Sequence, residues 1–154
     1  MDSIPVDPAS IRAVLIEGAA GGAGLAVVAF LLSRFADDFI GRALLAIVLI
    51  AAAGAYLGFA FQSAPDRSWM LLELLQAVAF GSLALVGLRG SPYWLALGWA
   101  LHPVWDVGLH FLGPGERFAP WTYAIACLSF DLVVALYIVL AYRFDLVRWR
   151  SSVW

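Results

Sequence analysis

The chain has 154 residues, of which 64% are hydrophobic and only 13% charged; its mean hydropathy is +0.91 and its formal charge −2. No soluble domain of this size needs so much apolar surface, which points to an all-α membrane bundle. The negative balance argues against a nucleic-acid partner, and the single cysteine, Cys127, excludes an intrachain disulfide framework.

The first residues, MDSIPVDPASIR, are acidic and lack the basic start of a secretory signal, so the first apolar segment is read as retained. Asp7-Pro8 or Ser10 can cap a helix over about 11–34, long enough at about 1.5 Å per residue to cross a ~30 Å hydrocarbon layer. Its glycine run places Gly18 and Gly22 on one face, where another helix can approach closely, with Glu17 beside them. The polar break 34–42, with Asp37, Asp38 and Gly41, is read as a loop before a second helix over 41–62. There Gly54 and Gly58 repeat the small-residue spacing on either side of Tyr56, a pattern that simple helix packing explains. A break around Pro65, with Asp66 or Ser68 as cap, opens a third helix over 68–88 carrying Glu73.

Ser91-Pro92 is a cap and first-turn pair for a fourth helix over 92–113, and a fifth spans 120–142 with Cys127 and Asp131 one turn apart. The reading is thus a single domain of five transmembrane helices. Arg34, Arg42, Arg89, Arg143, Arg148 and Arg150 fall on one side, and Arg12, Arg67 and Arg117 on the other. The positive-inside rule then puts the N-terminus outside and the C-terminus in the cytoplasm, in a bacterial inner membrane. Trp69, Tyr93, Trp94, Trp121, Trp149 and Trp154 lie near span ends, as an aromatic belt requires.

The fourth helix is the unusual one. His102, Asp106 and His110 recur every fourth residue and form a ladder on one face, with Trp99 and Trp105 within a turn of His102. Pro103 is expected to kink the helix and free the Trp99 carbonyl. Ionisable groups inside a membrane face protein or trapped water and mark functional sites. A depth count places Glu17, Glu73, His102, Asp106, His110 and Asp131 in the middle and outer half, which predicts one polar cavity opening outward. Four carboxyls and two imidazoles share it without an Arg, so the cavity must hold protons, a metal or a substrate cation. The plainer alternative is that Asp106 or Asp131 hydrogen-bonds a neighbouring helix and fixes its register.

Two ligand chemistries fit. His102 with Asp106, or Asp106 with His110, has the spacing at which helical side chains share a divalent metal, and Glu73 or Glu17 can complete the shell. Haem is disfavoured because both histidines sit on one helix. Without a metal, a carboxyl beside histidine and tryptophan suits general acid-base work, and the aromatic faces can stabilise a cation. Cys127 reads most simply as a small buried hydrophobe.

The set Gly98, Trp99, His102, Trp105, Asp106 and His110, followed by Cys127 and Asp131, resembles the signature of an uncharacterised bacterial family of small polytopic membrane proteins, over residues 54–142. Members often carry paired histidines where this chain has Leu109 and His110. The resemblance implies a site and no reaction. In architecture alone, five spans around an acid, histidine and tryptophan are similar to sterol isomerase and sigma-2 receptor bundles.

The leading expectation is a membrane-embedded enzyme on a lipid or isoprenoid. Asp106 and Asp131 exchange protons, His102 and His110 tune them, and Trp99, Trp105, Glu73, Glu17 and Cys127 line the substrate. Proton- or cation-coupled transport through the same cavity is the second expectation. The third is an accessory subunit of a larger membrane complex. Partners are membrane lipids, a second copy of the chain or such a complex.

Overall fold

The computed structural model describes residues 7–63 and 67–147. Five long helices follow in order: α1 Pro8–Phe35, α2 Asp38–Ser63, α3 Arg67–Arg89, α4 Pro92–Leu112 and α5 Trp121–Arg143. A single 3-10 turn, Gly115–Arg117, lies in the last connection. The expected cap at Asp66, the tail arginines Arg148 and Arg150, and Trp149 and Trp154 lie outside the described residues.

Local chemistry sets the ends. Asp7 accepts a hydrogen bond from the Ala9 amide at 3.3 Å and Pro8 opens the first turn, so α1 begins three residues earlier than the apolar pattern indicated. Ser91 and Pro92 do the same for α4, the Ser91 hydroxyl accepting from the Tyr93 amide at 3.4 Å.

Each helix packs on its neighbours in sequence, and α5 returns to lie along α1, closing a ring; α2 and α4 also touch across it. The α1–α5 contact explains the glycines. A Cβ on Gly18 would strike the Ala126 carbonyl and the Ser129 hydroxyl, and one on Gly22 would lie 2.6 Å from the Phe130 carbonyl. Small residues let the backbones meet where lipid offers no hydrophobic drive for association. Gly54 and Gly58 differ from expectation: a Cβ on either meets nothing within 4 Å, so the pair marks no close helix contact within the chain.

The segment expected as a polar loop over 34–42 is nearly all helical, with the turn confined to Ala36 and Asp37. Asp37 caps α2, accepting from the Phe39 amide at 2.7 Å. The polar residues after it are drawn inside: Asp38 and Arg42 form an ion pair at 3.0 Å, with exposures of 7% and 2%. Tyr142 donates to Asp38 at 2.6 Å, and Arg42 reaches the carbonyls of Gly87 and Gly90 at 3.4 and 3.2 Å. One guanidinium thus satisfies carbonyls left free at the end of α3 and ties α2 to α3, to the next turn and to α5.

Four helices, α1, α2, α3 and α5, are long and apolar enough to cross a membrane, and the outward surface is rich in Leu, Ile, Val and Phe. The protein is a membrane protein. Helix α4 has 21 residues, hence a length of about 31 Å, but its His, Asp and Pro residues lower its hydropathy.

The interior has three layers. One apolar cluster, around Leu45, Leu49, Trp99, Val134 and Ile138, fills the half toward the Arg42 end. Another, around Tyr56, Ala60, Leu109, Phe118 and Ala119, fills the opposite end. Between them lie buried polar side chains from α3, α4 and α5.

Candidate proton and metal site

The middle layer is assembled by matching pairs. His102 and Asp106 are one turn apart on α4; Cys127 and Asp131 are one turn apart on α5, the helix packed against it. His102 Nδ1 lies 2.8 Å from Asp131 Oδ2 and 3.5 Å from Asp106 Oδ2. One ligating atom from each of these four residues can be chosen so that all lie within 4.8 Å of one another. His102 and Asp106 are 0% exposed and Asp131 is 1% exposed, so the group is sealed from solvent.

Other helices complete the surroundings. Phe80 of α3 stands edge-on to the His102 ring at 5.1 Å. The Ala52 carbonyl of α2 lies beside that ring and accepts from the Tyr123 hydroxyl at 3.0 Å. Glu73 of α3, 0% exposed, lies beside Trp105 and Gln76, and Gln76 donates to the Ala53 carbonyl at 2.7 Å.

Several polar atoms at the centre are buried without a hydrogen bond among the described residues. They are both oxygens of Asp106, both of Glu73, Oδ1 of Asp131 and Nε2 of His102. The charged neighbours of this group are its own members, and no Arg is among them. Unsatisfied buried oxygens cost several kcal/mol each in an apolar medium, roughly 2–7 for a neutral polar group. An arrangement with five such oxygens and an imidazole nitrogen is built to receive something: protons, a cation or the polar end of a substrate.

The residues expected at the site are placed unequally. His102, Asp106, Asp131 and Cys127 come together, with Glu73 and Trp105 at their edge. His110 does not join them as a metal ligand. It is buried one turn further along α4, edge-on to Phe111 at 5.0 Å, with Glu116 of the loop as a charged neighbour. Each four-residue step turns a helical face by about 40° and advances it about 6 Å, so a ladder of three cannot share one small ion. The donors within reach of His102 and Asp106 are instead Cys127 and Asp131 of α5.

Glu17 is also displaced. It is exposed, because Gly18 and Gly22 face α5 and the preceding residue is turned about 100° away. Trp99 sits fully buried in the apolar cluster on the other side of His102, its ring 5.8 Å from that of Phe130, and lines no polar space. The cavity expected to open outward is closed at that end by the cluster around Tyr56, Leu109 and Phe118. Sequence reasoning passed over Gln76, Phe80 and Tyr123. Of these only Gln76 carried a signal, as an amide inside an apolar helix three residues after Glu73.

A family model described as a family of unknown function (DUF6010) matches residues 10–143. No curated protein and no solved structure matches the chain, and the comparisons lend no support to a likeness to sterol isomerase bundles.

Proposed function

The chain belongs to DUF6010, a family of unknown function, and we propose on its geometry that it is a small membrane-embedded enzyme acting by acid-base chemistry on a lipid or isoprenoid. The carrying observation is the 2.8 Å contact of His102 with Asp131, with the Asp106 carboxyl 3.5 Å from the same nitrogen, in the buried middle layer of the bundle. In this reading α4 is a fifth span. The N-terminus lies outside and the C-terminus in the cytoplasm of a bacterial inner membrane. Arg34, Arg89 and Arg143 lie at the cytoplasmic end, while Arg42, consumed in its ion pair, adds little to the bias.

The chemistry follows from the shared protons. Three carboxyls around one imidazole cannot all be ionised in a low dielectric, so the group stores at least one proton. Asp131 holds the imidazole by Nδ1, which fixes its tautomer and orientation and leaves Nε2 as the second working atom. Asp106, held only by the 3.5 Å contact of its Oδ2 with His102, is placed to donate a proton to a substrate or take one from it.

An apolar substrate fits the surroundings better than a solute crossing the membrane. Apolar clusters lie on both sides of the polar layer along the bundle axis, so an aqueous path is blocked both ways. That favours chemistry over transport.

The test works with a substrate not yet identified. Purified protein is reconstituted with the lipid extract of its native membrane in deuterated, ¹⁸O-enriched water, and the lipids are followed by mass spectrometry. The wild type is expected to shift or label a lipid that the Asp131→Asn variant leaves unchanged. Identical lipid profiles for the two would refute the enzyme reading.

A further inference from the structure

Resting on the reading of this cluster as the reaction centre, we infer that it takes a zinc-type divalent cation, held by His102, Asp106, Cys127 and Asp131. The donor set carries the inference. One nitrogen, one sulfur and two carboxylates, on two i, i+4 pairs facing each other, offer four ligand atoms within 4.8 Å of one another. In tetrahedral zinc sites, bonds of about 2.0–2.3 Å put neighbouring donors roughly 3.3–3.8 Å apart, so rotamer adjustments alone close the shell.

Charge favours the ion over protons alone. A double positive charge offsets two of the three negative charges of Asp106, Asp131 and the Cys127 thiolate, and it engages oxygens that otherwise have no hydrogen bond among the described residues. The sulfur selects the metal class. Thiolate and imidazole favour zinc and its neighbours over magnesium or calcium, which take oxygen shells.

The surroundings suit a metal-bound histidine. With Nδ1 turned to the ion, Nε2, which makes no hydrogen bond among the described residues, carries the imidazole proton, and the Ala52 carbonyl lies beside the ring. That carbonyl is itself positioned by the Tyr123 hydroxyl at 3.0 Å. With four protein ligands the shell is closed, so the bound ion would hold the donors together and offset their charge without an open position for substrate. Glu73, the carboxyl beside the group that is not a ligand, is then left to move the proton.

Metal content and cobalt spectroscopy on tag-free protein in detergent provide the test, independently of any turnover. Wild type exposed to zinc and then freed of loose metal should retain one ion per chain. The His102→Asn/Asp131→Asn double variant should retain none while eluting as the same helical species. Replacing zinc by cobalt should give tetrahedral visible bands and a near-ultraviolet sulfur-to-cobalt band, and Cys127→Ser should lose only the latter. Zinc-free wild type, zinc kept by the double variant, or a cobalt spectrum unaltered by Cys127→Ser would each overturn the site. Lipid turnover by zinc-free protein would remove the metal and leave the enzyme reading standing; bound zinc without turnover would do the reverse.

Discussion

Gly22 gives the most direct check on how the bundle is held. A methyl group there lies 2.6 Å from the Phe130 carbonyl oxygen and 3.1 Å from its Cα, both backbone atoms that no rotamer change can move. Ordinary contact needs about 3.5 Å, so α1 and α5 must separate by roughly 0.5–1 Å in Gly22→Ala. Overpacking of this kind costs about 1–3 kcal/mol. The neighbouring Gly24 provides the control, because a Cβ there meets nothing within 4 Å. Gly24→Ala should change stability by no more than about 1 kcal/mol, and in the favourable direction through helix propensity. Reversible unfolding in mixed micelles measures both. Phe130 directly precedes Asp131, so a shift of α5 also strains the 2.8 Å contact with His102. If Gly22→Ala loses no more stability than Gly24→Ala, the glycine face does not set the helix spacing and the argument fails.

Other expectations concern single side chains. Arg42→Met leaves Asp38 buried without its cation and should cost about 3–5 kcal/mol, part of which returns in Asp38→Asn/Arg42→Met; thermal unfolding of these two variants and of Asp38→Asn that shows simple additivity would count against the pair. His110→Asn should keep both zinc content and lipid labelling at wild-type levels, and loss of either would return His110 to the site. Glu73→Gln, whose parent oxygens make no hydrogen bonds among the described residues, should unfold within about 1 kcal/mol of wild type yet abolish labelling. Full turnover in that variant would deny Glu73 its proton-carrying role. A fluorescent protein fused to the C-terminus should glow in intact cells, and an active alkaline phosphatase at that position would reverse the orientation.

The helices were legible because each carries its own punctuation: Asp7-Pro8, Ser91-Pro92 and Pro120 stand where chains turn, and long apolar runs lie between. Half of the site was legible too, since charges inside apolar runs draw attention wherever they occur. What the sequence could not convey was partnership. The His102, Asp106, His110 ladder is one-dimensional, and nothing in it reveals that α5 presents a matching Cys127 and Asp131 while His110 rotates away. Segment 34–42 misled for a related reason. Polarity read locally means solvent, whereas Asp38 pairs with Arg42 and accepts from Tyr142 across 104 positions of chain, a pairing visible only once the bundle brings the end of α5 near the start of α2. Glu17 failed in the same way, because sharing a depth with Glu73 is not sharing a face.

The central polar layer has an electrical consequence. His102 lies ten residues into the 21-residue α4, half-way along it. In the five-span arrangement a charge there sits at about half the electrical depth of the membrane, where a potential of 100 mV is worth about 1.1 kcal/mol per elementary charge. Loading or releasing a doubly charged ion at that depth is therefore biased by the voltage, by about 2.3 kcal/mol per 100 mV and so nearly fifty-fold in occupancy. An energised cell and a de-energised one would hold the same protein in different states of loading, with no other effector needed.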